Sequence, residues 1–155
     1  VADWVSGIGT LLAVVTALYI AGSERRSAEK ARAIASNEEL QRHAHVIAEA
    51  IRLAAEVEAL AMNYKQLVSF GGGASPSTRV NLLDDIEGIR RQFNSLQQFP
   101  ITDPRLFAEI GRVAHECRVE SDLIDKSTSY SAQIMERVAE RMRVRRDALT
   151  RLTAG

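Results

Sequence analysis

The chain has 155 residues, with 20 Lys and Arg balanced by 20 Asp and Glu, and 26% of its residues are charged. A net charge of zero excludes an electrostatically driven nucleic-acid binder, and the apolar content excludes a chain too polar to fold. The single cysteine, Cys117, excludes an internal disulfide and a thiolate zinc cluster.

The first element is the stretch Trp4 to Ser23, WVSGIGTLLAVVTALYIAGS, which holds no charged side chain. As a helix it spans about 30 Å, the thickness of a bilayer's hydrocarbon core. Trp4 and Tyr19 stand near its two ends, as interfacial aromatics do. A core helix of a small domain would carry one polar stripe; here Ser6, Thr10 and Thr16 are the only hydroxyl residues of Ser or Thr type before the closing Ser23. Val1-Ala2-Asp3 supplies no basic residue ahead of it, and the small-residue cleavage pattern is poor, so a membrane anchor is expected rather than a cleaved leader. Arg25, Arg26, Lys30 and Arg32 follow it and no basic residue precedes it. The N-terminus is therefore expected outside the cell (inner) membrane and residues 24–155 in the cytoplasm. Gly9, Ala13, Ala17 and Ala21 recur every four residues, near one face of this helix. Small residues there let a second backbone approach closely, so these four are the candidate helix–helix contact in the membrane.

Residues 24–36 read as a charged, helix-compatible juxtamembrane segment or hinge. Ser36-Asn37-Glu38-Glu39 has the form of a capping box and marks either a fresh helix start or a kink. A helix is expected over 37–70. Its first apolar row is Val46, Ala50, Leu53, Val57, Leu60, Tyr64 and Leu67; a second row, Leu40, Ala44, Ile47, Ile51 and Ala54, lies beside it. Gly71-Gly72-Gly73-Ala74-Ser75-Pro76-Ser77 breaks the pattern, with Pro76 expected to block a restart. It has neither the Lys-Ser/Thr nor the preceding strand of a phosphate loop. Ser77 or Thr78 is the expected cap of a helix over 78–99, with Leu82, Ile86, Ile89, Phe93 and Leu96 inward. Asp103 and Pro104 open a helix over 104–126, with Leu106, Ile110, Val113, Cys117 and Ile124 inward and Ser121 in the gap. The last helix, 130–153, carries Met135, Val138, Met142, Leu149 and Leu152, a row that Arg145 interrupts.

Every segment after the anchor is near-heptad and none alternates as a strand does. The expected fold is all-α: a single N-terminal transmembrane helix (residues 1–23), then an up-down antiparallel bundle of four cytoplasmic helices within 37–155, coiled-coil-like in its periodicity.

Candidate chemistry is sparse. His45 and Glu49 lie one turn apart with His43 nearby, but a zinc site needs three or four ligands and the two histidines point to different faces. His115, Glu116 and Cys117 resemble a nucleophile with its base, yet adjacent helical residues do not face each other, and Cys117 falls on the buried stripe. Asp84, Asp85 and Glu87 suit the early turns of a helix. No catalytic residue, cofactor or metal is expected, and the chain is not read as an enzyme.

Two functions remain: a membrane-anchored helical assembly and interaction protein, and an oligomeric membrane-active protein such as a pore, a holin-like subunit or a membrane-disrupting effector. The absence of a charged ring in the anchor favours the first. The expected partners are a second copy through the transmembrane face, another membrane protein, or both, together with anionic lipid. An up-down course returns the end of the last helix toward the membrane, so Arg143, Arg145 and Arg146 join Arg25 and Arg26 as candidate contacts to anionic lipid.

Overall fold

The computed structural model describes residues 2–69, 75–119, 123 and 125–153, and side chains from residue 24 onward. Among these residues are four α-helices, α1 (Ala2–Ser69), α2 (Pro76–Leu96), α3 (Pro104–Glu116) and α4 (Thr128–Leu152). No strand occurs among the described residues. The chain divides into two compact units, residues 1–42 and residues 43–155.

α1 is one helix of 68 residues. Ser36-Asn37-Glu38-Glu39 lies inside it and starts no new element. Good helix formers flank that sequence on both sides, so an unbroken ladder satisfies the backbone groups that a cap would otherwise serve. In the first unit every described residue, 24–42, is exposed. Leu40, expected in the second apolar row, is 66% exposed, and Ala44 of the second unit is exposed too. No helical stretch among the described residues is long and apolar enough to cross a membrane. The run Trp4–Ser23, on which the anchor expectation rests, lies outside the residues whose side chains are described, as do Gly9, Ala13, Ala17 and Ala21.

The second unit is a helical bundle with one core, to which all four helices contribute. In α1 the buried positions are Val46, Ile47, Ala50, Leu53, Ala54, Val57, Ala61, Tyr64 and Val68, while Leu60 and Leu67 are only partly buried. Two of the buried rows step by seven, Ile47, Ala54, Ala61 and Val68 beside Ala50, Val57 and Tyr64, and they run between the two expected rows.

α2 starts two residues earlier than expected. Ser75 is its N-cap, accepting from the Thr78 amide at 3.2 Å, and Pro76 occupies the first turn. Proline has no N–H to lose there and its φ is already helical, so Pro76 opens the helix and does not block it. All five expected core residues of α2 are buried. Asp103 caps α3 by accepting from the Arg105 amide at 2.8 Å, with Pro104 in the first turn.

α3 ends at Glu116, ten residues short of the expected 126. Cys117 is still wholly buried. Ile124, expected inward, and Ser121 lie outside the described residues. Leu123, outside α3, is buried in the core. Its carbonyl accepts from the Ser131 hydroxyl of α4 at 2.9 Å, which satisfies the buried Ser131. α4 opens at Thr128 under a Ser127 cap that accepts from the Tyr130 amide at 3.3 Å.

Directions follow from cross-helix pairs. Lys65 pairs with Glu136 and Glu58 with Arg146, so α1 and α4 are antiparallel in this unit. Cys117 meets Met142 at 3.6 Å, while Pro104 and Leu152 border one cleft, so α3 and α4 are antiparallel as well.

Candidate functional site

The most heavily charged buried place in the bundle is the seam between α3 and α4. Arg145 sits between Met142 and Leu149 in the inward row of α4, where helical spacing places every third or fourth residue on one face. Its guanidinium grips Glu116: Nε donates to both carboxylate oxygens at 3.0 and 3.1 Å, and Nη2 donates to Oε1 at 2.7 Å. Nη1 reaches Glu109 Oε1 at 3.2 Å. The other oxygen of Glu109 accepts from Arg112 at 2.9 Å. The Glu109 side chain is only 8% exposed and that of Arg145 28%, so these charges are largely withdrawn from water.

Forked Arg–carboxylate geometry is among the strongest hydrogen-bonding arrangements available to side chains. The bond to Glu116 holds the Arg145 guanidinium even more firmly protonated than usual, against the opposing effect of desolvation. Both oxygens of each carboxylate accept from guanidinium donors. The seam ties α3 to α4. Beside it lies an open cleft of about 430 Å³, edged by Pro104, Arg105, Ala108, Arg112 and Leu152.

Two more ion pairs join α4 to α1, Arg146 to Glu58 at 2.6 Å and Lys65 to Glu136 at 2.7 Å. Arg143 is bound only to Glu140 on its own helix, at 2.8 Å, and is exposed. Of the three α4 arginines expected to meet lipid, two therefore reach across to neighbouring helices. Arg25 and Arg26 are exposed on α1.

The remaining sequence candidates do not converge. Glu49 is clasped by Arg52 at 2.7 and 2.9 Å, which draws its pKa below the usual carboxylate range. His45 is exposed, His43 is half-buried, and no three His, Cys, Asp or Glu among the described residues gather at metal-binding range. His115 is exposed, Glu116 belongs to Arg145, and Cys117 faces Met142 in the core, so the three point apart. Burial pushes the Cys117 thiol up to about 12, and a nucleophilic cysteine requires the opposite shift. Asp84 and Asp85 are exposed, and Glu87 is held by Arg90 at 2.6 Å.

Comparison with protein-family models, curated proteins and solved structures finds no match to this chain. The Glu109–Arg145–Glu116 seam was the feature that the sequence disguised. Two signals pointed to it: Arg145 breaks an apolar row, and Glu109 stands within the stripe formed by Leu106, Ile110 and Val113. Their pairing spans 36 residues and has no local pattern.

Proposed function

We propose that this chain is a membrane-anchored helical module that acts by assembly, without catalysis. The observation that carries the reading is the charge-free run Trp4–Ser23, which belongs to a helix continuing without interruption into the bundle. Such a run matches the length that a bilayer demands. The basic residues that follow it orient the bundle toward the cytoplasm, with the helices running up and down beneath the membrane. Gly9, Ala13, Ala17 and Ala21 form the face through which two copies associate, and anionic lipid is a second partner. In the bundle, the described acids and bases that come closest together are engaged with each other, which suits a rigid interaction module better than an active site.

The test is association within membranes. Ala13→Leu props apart any helices packed through the small-residue face, whereas Val14→Leu leaves that face intact. Ala13→Leu is expected to reduce energy transfer between labelled copies in vesicles strongly, and Val14→Leu hardly at all. Equal effects from the two changes would remove the proposed contact. Placing Arg at position 14 should cost about 2.5–3.5 kcal/mol of insertion and move the protein to the soluble fraction; wild-type chain that is monodisperse without detergent would remove the anchor.

A further inference from the structure

The cleft beside the Arg145 seam runs between α3 and α4 and is floored by Pro104, Ala108, Ala148 and Leu152. Ala108 and Ala148 stand on its two walls, and small side chains there leave the two helices unfilled between them. On α4, Arg137, Arg141, Val144, Ala148 and Arg151 step by four, three, four and three residues and so share one face. Ala148 borders the cleft, so this face is the one turned to the α3 side. Val144 on it is 52% exposed. The acids of α4 keep to a different row, Glu136, Glu140 and Asp147, which begins on the α1 side at the Lys65–Glu136 pair.

The rims of the cleft carry one sign of charge. Arg105 and Arg112 border it from α3. Arg105, Arg141 and Arg151 are exposed and form no ion pair among the described residues; Arg141 donates only to the Arg137 carbonyl of its own helix, at 3.2 Å. Arg112 is 62% exposed and holds Glu109. The acids that face the seam, Glu109 and Glu116, are both engaged by guanidinium groups. His115, exposed, closes the α3 row without a carboxylate.

An apolar floor between cationic rims selects its occupant. A phosphate backbone uses the rims and has no use for the floor. An amphipathic helix whose apolar ridge is flanked by carboxylates uses both, and the two alanines let its backbone come close. α3 has 13 residues, so its wall is about 20 Å long and matches three to four helical turns. We infer that the α3–α4 groove binds an acidic amphipathic helix of a partner protein, its ridge on Ala108 and Ala148 and its carboxylates on Arg105, Arg112, Arg141 and Arg151. Every residue of this site lies within 104–152, so the inference is independent of the membrane anchor.

The experiment uses the full chain in a mild detergent. Trp4 is its single tryptophan, so Trp4→Phe with Val144→Trp places the only tryptophan in the groove. The probe is a synthetic helical peptide of about 14 residues, roughly four turns, with a Leu ridge flanked by Glu and no aromatic residue; a second peptide carries Lys in place of Glu. The Glu peptide is expected to shift the tryptophan emission to the blue and to saturate, and the Lys peptide to leave it unchanged. Adding Arg105→Gln and Arg151→Gln should weaken binding about 10-fold, a few-fold for each exposed ion pair, and about 1 M salt should act in the same direction. Ala148→Phe, which occupies the floor, should abolish the shift. Glu140→Gln with Asp147→Asn, on the other row of α4, should change the affinity less than about twofold. Helical circular dichroism and the thermal midpoint establish that each variant is folded; if Ala148→Phe is not, the Arg105 and Arg151 variant decides.

Equal binding of the two peptides, no shift with either, or undiminished binding after Arg105→Gln and Arg151→Gln overturns the inference. A blue shift that grows with protein concentration in the absence of peptide assigns the groove to a second copy and overturns the partner helix. A shift produced by short-chain phosphatidylserine below its micellar concentration, and not by the Glu peptide, assigns the groove to lipid headgroups and overturns it as well.

Discussion

Removing the Arg145 guanidinium is the sharpest perturbation of this bundle. Arg145→Met keeps an unbranched side chain of similar length in the inward row but leaves Glu116 without its cation and Glu109 with Arg112 alone. Breaking a buried ion pair by deleting one partner typically costs about 3–5 kcal/mol, because the remaining charge stays desolvated. Here the cost is smaller. Glu109 retains Arg112 at 2.9 Å, the Glu116 side chain is 17% exposed and can turn outward, and Arg145 itself was 28% exposed. About 2–3 kcal/mol is therefore expected, which lowers the thermal midpoint of a domain this size by roughly 10 °C. The assay is urea unfolding followed by helical circular dichroism, with the slope compared to show that the same surface is exposed. A compensated variant separates charge from packing: Arg145→Met with Glu109→Gln and Glu116→Gln should come back to within about 1 kcal/mol of wild type, because no uncompensated carboxylate remains. If Arg145→Met alone is neutral, or if the compensated variant is no more stable than the single one, the seam is not held by these charges.

Gly88 lies within α2, and a Cβ there would meet no atom within 4 Å. Gly88→Ala should stabilise the bundle by about 0.5–1 kcal/mol from helix propensity alone, measured by the same urea midpoint. Tyr64 is wholly buried and its hydroxyl has no hydrogen-bond partner among the described residues. Tyr64→Phe removes a desolvated polar group without losing a bond, so it should be neutral or stabilising by about 1 kcal/mol; a loss above that would mean the hydroxyl is satisfied in solution. Cys117 should resist thiol reagents at neutral pH until the bundle unfolds. Its thiol is raised from 9.0 to about 12, so its contribution to stability is full below pH 9 and is lost as pH climbs toward 12. Cys117→Ala should flatten that alkaline decline relative to wild type. Glu49 and Glu87 act at the acid side with the opposite sign. Their arginine partners lower both folded-state values, so the small stabilisation present above the ordinary carboxylate range is lost as pH falls. Replacing both with Gln should shift the acid midpoint of unfolding only slightly, because such pairs on the surface are weakly coupled.

Much of this molecule was legible from local pattern. The four-three spacing of Leu82, Ile86, Ile89, Phe93 and Leu96 placed all five in the core of α2, because helical geometry alone decides which residues share a face. Asp103 followed by Pro104 announced the start of α3, because a side-chain acceptor and a residue without an N–H both answer the needs of a helix's first turn. The all-helical bundle follows from such signals repeated along the chain. What local pattern could not decide is what each face meets. The burial of Ala61 and Val68 in α1, outside both expected rows, and the early end of α3 depend on how the other helices pack. Leu123 is in the core because Ser131, eight residues on, supplies a donor for its carbonyl. Arg145 breaks an apolar row in sequence, yet belongs in the interior because Glu116 and Glu109, 29 and 36 residues away, converge on it. Periodicity along one helix states which side is turned inward; only the packing of a second helix supplies the counter-charge that allows an arginine to be there.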